Sequence, residues 1–468
     1  MSEYQTRMIP ADKILNHLEI ALNTEKMKNI FQRHRYWAKS ARLIDCQIER
    51  IKYKPQKNCH VTYRLCLKDR HHKKITEQLV CARFYEQGGS NSRYFKEIVK
   101  GQAPGRLMHI PELDCVTWIF PNDRKLSHLK KILNCEFLYQ QIAPKLVSHY
   151  AGSDWSIRNF HAQMIRYVPE QSCSIRAAFD INFKHDKAHQ NFLAFGKTSY
   201  NDNGAAIFQL MQQLWQSPAC LEHRLNIPKP LMYQPELKML WQTGVPGIML
   251  SELQDQTTLF IKSMENVGRQ LGILHQVSLV DCRQRHDQKF NYQELTKVEN
   301  LLSKFNAPAR NKIVPLITRL SQLLPLDPSG QEVTLHGDLH PKNILVDSNR
   351  VYLIDLDNIG IGSPLQDVGS FIAALLNLQL MASISSPLAK QSIKVFILAY
   401  RESVPWTIND LHLRRHIAKA LIVERIFRSF TRLKAGRMEI IENLAQQAEM
   451  LLDDNFIPAW LSTGDCYG

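Results

Sequence analysis

With 468 residues, 44% of them hydrophobic and 22% charged, the chain is long enough for two or three globular domains with sizeable cores. No apolar run approaches the roughly 18 residues that a membrane span needs. The start, Met1 to Arg7, has no apolar stretch of the signal-peptide kind. The ten cysteines are scattered without a Cys-x-x-Cys pair or a Cys/His cluster at zinc spacing. Reduced, mostly buried thiols in a cytoplasmic protein are therefore expected. The formal charge is +15, but many basic residues stand in mixed stretches such as Lys68-Asp69-Arg70-His71-His72-Lys73-Lys74, which reads as a solvated hairpin turn. Without a recognisable nucleic-acid module, neither nucleic acid nor a membrane is the expected partner.

Taken in chain order, the first feature is an internal repeat. Ile51-Lys52-Tyr53-Lys54-Pro55 leading to Cys59 is matched by Ile165-Arg166-Tyr167-Val168-Pro169 leading to Cys173. The same offset sets Arg83 against Lys197. Leu107 to Leu113 answers Leu231 to Leu237 after a short insertion, and each copy then reaches a tryptophan, Trp118 and Trp241. A duplicated sheet unit is predicted. The expected organisation is an N-terminal domain over 1–131, a second sheet domain over 132–243 and a helical domain over 244–468. Only the last carries a candidate catalytic loop, so the first copy is expected to be a cap, an interface or a wall of the cleft.

In the second copy, 163–183 reads as a hairpin and 192–198 as a third strand. Gly204 to Trp215 is helical, with Ile207, Leu210, Met211, Leu214 and Trp215 on one face. Strands follow at 229–232 and 237–241, and Gln242 to Val245 reads as a connector. Helices are predicted from Leu259 to Leu279 and from Asn291 to Leu323.

The chemistry lies in residues 335–370. Leu335-His336-Gly337-Asp338-Leu339-His340-Pro341-Lys342-Asn343 runs into a strand, Ile344 to Val346. A polar turn, Asp347 to Arg350, leads to a second strand reaching Asp355-Leu356-Asp357. Such a hairpin brings Asn343 and Asp355 to its open end, with Asp338 on the loop entering it. Phosphoryl transfer needs a positioned acceptor for the proton of the attacking hydroxyl, and hard oxygen ligands for Mg²⁺. Asp338, Asn343 and Asp355 supply both.

The pattern resembles the catalytic loop and metal-binding acid of kinases. Its His-Gly-Asp and Asp-Leu-Asp forms are similar to the aminoglycoside phosphotransferase and choline kinase superfamily. The resemblance covers roughly 160–455. It implies an α+β, protein-kinase-like two-lobe fold, to which the repeat adds an N-terminal small-lobe-like domain, and ATP (or GTP) with Mg²⁺ as cofactors. By the same resemblance Asp338 is the catalytic base, Asn343 and Asp355 are metal ligands, and Asp357 is a further acid able to reach a metal. His336 and Asp367 brace the loop, and Lys197 takes the third-strand position that contacts ATP phosphates. Gln242 to Val245 forms the hinge, with Gln242 and Val245 beside the nucleotide. Two departures stand out. The helix after Lys197 has no Glu to pair with it, and the phosphate-covering turn, Pro169-Glu170-Gln171-Ser172, has no glycine.

The expected function is phosphotransfer from ATP to a hydroxyl of a sugar, metabolite or antibiotic. The alternative is a pseudokinase or nucleotide-binding scaffold. The C-terminal helices carry Arg414, Arg415, His416, Lys419, Arg425, Arg428, Arg432, Lys434 and Arg437, and Arg414, Arg425, Arg428 and Arg432 recur at helical multiples. A basic wall of this kind predicts a neutral or anionic acceptor.

Overall fold

The computed structural model describes residues 12–34, 41–69, 74–99, 107–185, 188–304, 308–433 and 436–461. Residues 70–73 of the basic turn and Lys434 lie outside them. Helices α1 (Leu18–Ala21) and α2 (Thr24–His34) lead into β1 (Ala41–Lys54), β2 (Asn58–Asp69) and β3 (Ile75–Tyr85). Helix α3 (Gly89–Val99), β4 (Leu107–Ile110) and β5 (Cys115–Ile119) complete an antiparallel sheet ordered β1-β2-β3-β5-β4. The chain then repeats the plan. Helices α4 (Leu129–Ile132), α5 (Cys135–Gln141) and α6 (Ala143–Ala151) precede β6 (Trp155–Val168), β7 (Ser172–Phe183) and β8 (His189–Ser199). Helices α7 (Gly204–Gln216) and α8 (Pro218–Leu221) precede β9 (Pro230–Gln234) and β10 (Met239–Thr243), and the strand order is β6-β7-β8-β10-β9.

The repeat read from the sequence holds at the level of register. Tyr53 faces Cys59 as Tyr167 faces Cys173, and Arg83 faces His60 as Lys197 faces Ser174. Each first hairpin turns on a non-glycine residue of positive φ, Gln56 (55°) and Glu170 (57°). Each sheet also has a 3₁₀ turn spelled Pro-Glu-Leu, Pro111–Leu113 and Pro235–Leu237, closed by a left-handed residue, Asp114 or Lys238. Strict alternation along β7 buries Cys173, Ile175, Ala177, Phe179 and Ile181 on one face, as expected of a strand with one face in a core. That face joins a core with Leu129, Ile132, Leu138, Ile142 and Leu146 of α4 to α6. In the first copy Cys59, Val61, Tyr63 and Leu65 share a core with Leu18, Met27, Ile30 and Phe31 of α1 and α2.

One expected match fails by a single residue. Counted from the two Pro-Glu-Leu turns, Thr117 stands where Trp241 does, and Trp118 takes the place of Gln242. Trp241 pairs with Gly196 and is fully buried. Trp118 pairs with Cys81, on the face that carries Arg83. Because side chains alternate across a strand, the two indoles lie on opposite faces of their sheets.

After β10 the chain passes Gly244, where a Cβ would come within 2.6 Å of Leu193 Cβ, so the connector lies against β8. The helical lobe follows: β11 (Ile248–Met249), α9 (Thr257–His275), β12 (Arg285–His286), α10 (Gln288–Leu302), α11 (Pro308–Gln322) and β13 (Val333–Leu335). Next come β14 (Ile344–Asp347), β15 (Arg350–Leu353), β16 (Gly360–Gly362), α12 (Leu365–Leu380), α13 (Ser386–Glu402) and α14 (Asp410–Ala420). A π-helical turn, Leu421–Ile426, joins α14 to α15 (Phe427–Arg432), and α16 (Ile441–Leu452) comes last. The helix predicted over Asn291–Leu323 is therefore two helices. Pro308 starts the second and disfavours helical backbone in the residue before it. Helix α9 packs on α13, closely enough that a Cβ on Gly268 would meet Phe396 O at 2.5 Å. Helix α15 packs against β1, so the N-terminal sheet touches the helical lobe directly. No described helix is long and apolar enough to cross a membrane.

Gly196 is the tightest point of the second sheet. A Cβ there would lie 2.4 Å from Met239 Cε and 2.7 Å from the Trp241 ring. Gly196→Ala is expected to cost about 1–3 kcal/mol, the usual range for overpacking. Denaturant unfolding monitored by tryptophan fluorescence measures it, and an unchanged midpoint would contradict the packing described.

Candidate active site

The loop that carries Asp338 is held by one buried carboxylate. Asp367, in the first turn of α12, accepts the backbone N–H of His336 (2.6 Å) and of Gly337 (3.0 Å), and His275 Nε2 lies 3.3 Å from it. His275 Nδ1 is in turn 2.7 Å from the Tyr400 hydroxyl. Burial alone would raise Asp367, but the hydrogen bond and charge of His275, with His336, hold it below the usual carboxylate range. His336 is fully buried, and its Nε2 reaches Ile354 O (3.0 Å), tying the loop to the end of β15. Gly337 has φ 78°, and a Cβ there would stand 2.0 Å from Asn358 O. Only glycine fits so close an approach in this conformation.

The hairpin closes with Asp347 opposite Arg350 and Ser348 at φ 52°. Its pairing ends at Ile344 and Leu353. The second strand predicted to run to Asp357 therefore stops short, and Asp355 sits in the left-handed region (φ 63°) at the head of a 3₁₀ turn, Leu356–Asn358. Asn343 O accepts the N–H of Ile354, which sets Asn343 beside Asp355. The Asn343 amide spends its Nδ2 on Asp338 O (3.0 Å), so Oδ1 is the atom it has to offer.

Two cations from outside the loop meet these acids. Lys197 Nζ donates to Asp355 Oδ1 at 2.9 Å and also to Asp357 Oδ2, so β8 of the sheet lobe is bonded to the turn of the helical lobe. Burial would lower the ammonium, but Asp357 and then Asp355 outweigh it and raise it, so Lys197 stays charged. Burial, with the like charge of Asp355, raises Asp357 against the pull of Lys197. Arg428 of α15 donates to Asp338 Oδ1 at 3.0 Å. Burial would raise the Asp338 carboxyl, but Arg428, and after it His340, hold it below the usual range. His340 is pushed down to about 4 by burial, against Asp338 and helped by Arg425 and Arg428. It is neutral at pH 7.

Among the described residues no group of three or more His, Cys, Asp or Glu side chains is arranged to hold a metal. The set present is two carboxylates and an amide oxygen. That suits Mg²⁺, which takes one or two protein carboxylates and completes its shell with water and phosphate oxygens. The ammonium between Asp355 and Asp357 marks where this pair accepts positive charge.

Asp338, Asn343, Asp355, Asp357 and Lys197 thus converge, with His336 and Asp367 behind them. The hinge residues separate. Val245 lines an open groove of about 490 Å³ with Ala178, Asp180, Leu193, Gly244 and Pro246, whereas Gln242 sits within β10 opposite Phe195 and is not part of its lining. The shared arginine face also divides. Arg414 is buried and donates to the Asp453 and Phe456 carbonyls, and Lys419 is buried against Asn291 and Glu294. The π-helical turn resets the helical register between them and Arg428. That α15 comes to rest on Asp338 depends on this turn, which the spacing of arginines did not reveal.

Residues 193–388 match the model of the phosphotransferase enzyme family, the family that residues 335–370 resemble. No curated protein matches the chain. Similar solved structures include an aminoglycoside phosphotransferase from Streptomyces rimosus (14% identity, TM-score 0.39, 60% of this chain and 96% of that one). A choline/ethanolamine kinase family protein from Mesorhizobium loti is also similar (14%, 0.40, 56% and 89%), as is a choline kinase from Cryptosporidium parvum (14%, 0.43, 64% and 92%). The site thus lies in a region of phosphotransferase family character.

Gly337→Ala tests the loop. The added methyl must displace either Asn358 or the loop, and should lower the rate of any reaction at Asp338 by at least about tenfold, since misplacing reacting groups by about 1 Å can cost 10²-fold. Activity of the variant at the parent level would show that the tight contact does not position Asp338.

Proposed function

We propose that the protein transfers the γ-phosphoryl group of Mg²⁺-bound ATP to a hydroxyl of a small acceptor. The observation that carries this reading is the Lys197 ammonium bonded to both Asp355 and Asp357 while Asp338 and Asn343 stand on the adjoining loop. A lysine from the sheet lobe, a pair of acids beyond a hairpin and a loop aspartate are the parts that phosphoryl transfer uses. Asp338 accepts the proton of the acceptor hydroxyl. Asp355, Asp357 and Asn343 Oδ1 would hold Mg²⁺, which neutralises charge between the phosphates. Lys197 leaves the carboxylates for phosphate oxygens when nucleotide binds, and the groove at Leu193 and Gly244 to Pro246 takes the base. Lys197 needs no Glu from α7, because Asp355 and Asp357 hold it in the absence of nucleotide.

The acceptor we infer is neutral or anionic. Packing of α15 on β1 brings Arg50 into the surroundings of Arg432. Burial, together with Arg428, Arg50, Arg437 and Arg166, lowers the Arg432 guanidinium to about 10. Positive charge so crowded favours an acceptor that carries a negative group.

Turnover of labelled ATP across sugars, phosphorylated metabolites, amino alcohols, nucleosides and aminoglycosides is the direct test. Asp338→Asn should lose 10²–10⁴-fold in kcat with nucleotide affinity nearly kept, the range of a positioned acid–base group. A loss within about tenfold assigns the base elsewhere. Asp355→Ala should abolish activity, and the parent should bind nucleotide more tightly with Mg²⁺ than without; equal affinities would remove the metal role. Among acceptors of matched size, a preference for a polycationic one would overturn the charge inference.

A further inference from the structure

The face of the first sheet that corresponds to the Lys197 face of the second is already filled. Arg83 stands at the position of Lys197, and Trp118 at that of Gln242. What lies against them is the turn between β6 and β7 of the second copy. Tyr167 donates its hydroxyl to Asp123 Oδ2 (2.6 Å), and the Glu170 backbone N–H donates to the same oxygen (2.8 Å). The Glu170 carboxylate accepts Arg124 Nε (3.1 Å) and the terminal Nη2 (3.0 Å), a bidentate pair, and Arg83 stands 3.5 Å away. Arg124 also lies 3.6 Å from Glu97 of α3, which anchors it in the first copy. The side chains of Glu170, Arg83 and Arg124 are 14%, 16% and 23% exposed, so the pair is better shielded than a surface ion pair. The space left between the two copies, lined by His60, Cys81, Trp118, Asp123 and Tyr167, is about 20 Å³. No nucleotide fits there.

That turn leads straight into the active site. Ser172, Cys173 and Ser174 follow it, opposite Ser199, Thr198 and Lys197. It is the turn that stands over the phosphates if Lys197 contacts them. Pro169-Glu170-Gln171-Ser172 has no glycine, so it cannot remodel itself freely around a ligand, and Glu170 is held at φ 57° without the freedom of glycine. A stiff turn must be set in place from outside.

We propose that the N-terminal copy is the socket for this turn, and that Glu170, Arg124, Arg83 and Asp123 are positioning residues for the nucleotide phosphates. The proposal rests on the phosphotransferase reading above. The duplicated sheet has exchanged a ligand cleft for a clasp: what would be its own phosphate-binding position, Arg83, grips the phosphate-covering turn of its sister.

The test uses the full chain with Glu170→Gln, Arg124→Met and Arg124→Lys. Equilibrium binding of a non-hydrolysable ATP analogue with Mg²⁺ is measured beside steady-state kinetics. Glu170→Gln and Arg124→Met should each raise the nucleotide Kd and KM about tenfold, leave the acceptor KM within twofold, and speed amide exchange at 168–172. Arg124→Lys, which keeps the charge and loses the fork, should fall between parent and Arg124→Met. Faster exchange with unchanged nucleotide Kd and KM would reduce the clasp to a structural contact and overturn the proposal. An equal rise in nucleotide and acceptor KM would do the same, because it reports general loosening. A parent that binds no Mg-ATP analogue would instead sink the phosphotransferase reading, and the proposal with it.

Discussion

The bond between Lys197 and the Asp355–Asp357 pair is the constraint on which the rest of the site depends. It spans two folding units, one a twisted sheet and the other a helical lobe, at the point where each delivers its charged group from a rigid element. Lys197 is fixed by its place in β8, between β7 and β10, with Gly196 pressed on Trp241 beneath it. Asp355 is fixed by the end of a hairpin and a left-handed backbone. Two carboxylates so close would repel and take up protons without a cation. The ammonium removes that cost, and in the proposed reaction Mg²⁺ would take over the same charge.

The same logic runs one layer deeper. Asp338 faces the cleft from a loop with little secondary structure of its own, and loops hold position only when their backbone groups are bonded elsewhere. Here the buried Asp367 carboxylate takes two consecutive N–H groups of that loop, and His275 of α9, itself bonded to Tyr400 of α13, holds the carboxylate. The Asp338 loop is thereby tied to the packed helices α9, α12 and α13. Arg428 enters from a different direction, through the π-helical turn and α15, so Asp338 answers both to the helical core and to the C-terminal segment that lies on the N-terminal sheet.

Much of this was legible because local chemistry and spacing carry it. His-Gly-Asp, Asn and Asp-x-Asp around a two-residue turn announce their geometry, and Ile, Tyr, Pro and Cys at a constant offset announce the second sheet. What escaped has a physical reason in each instance. The Trp118–Trp241 match misled because a one-residue difference in a strand reverses the face, and tryptophan suits either one. The helix over Asn291–Leu323 misled because apolar periodicity continues across Pro308. Arg414 and Arg428 looked alike in spacing, but a π turn between them moves one to a buried carbonyl pair and the other to Asp338. Glu170 and Arg124 carried no signal at all, since a contact between two copies of a repeat leaves no mark on either copy's own pattern.

The two sheets show which part of such a unit is free to change. Their core faces must each cover a layer of helices, and there the residues stay apolar: Cys59, Val61 and Tyr63 in one, Cys173, Ile175 and Ala177 in the other. On the opposite face Lys197 and Gln242 of the second sheet stand where the first sheet has Arg83 and Trp118. In the first sheet that face carries apolar and cationic groups that need cover. The β6–β7 turn supplies both kinds of cover at once, with Tyr167 against Cys81 and Glu170 against Arg83 and Arg124. The first copy is then tied to the second through the turn that leads into the strand beside Lys197.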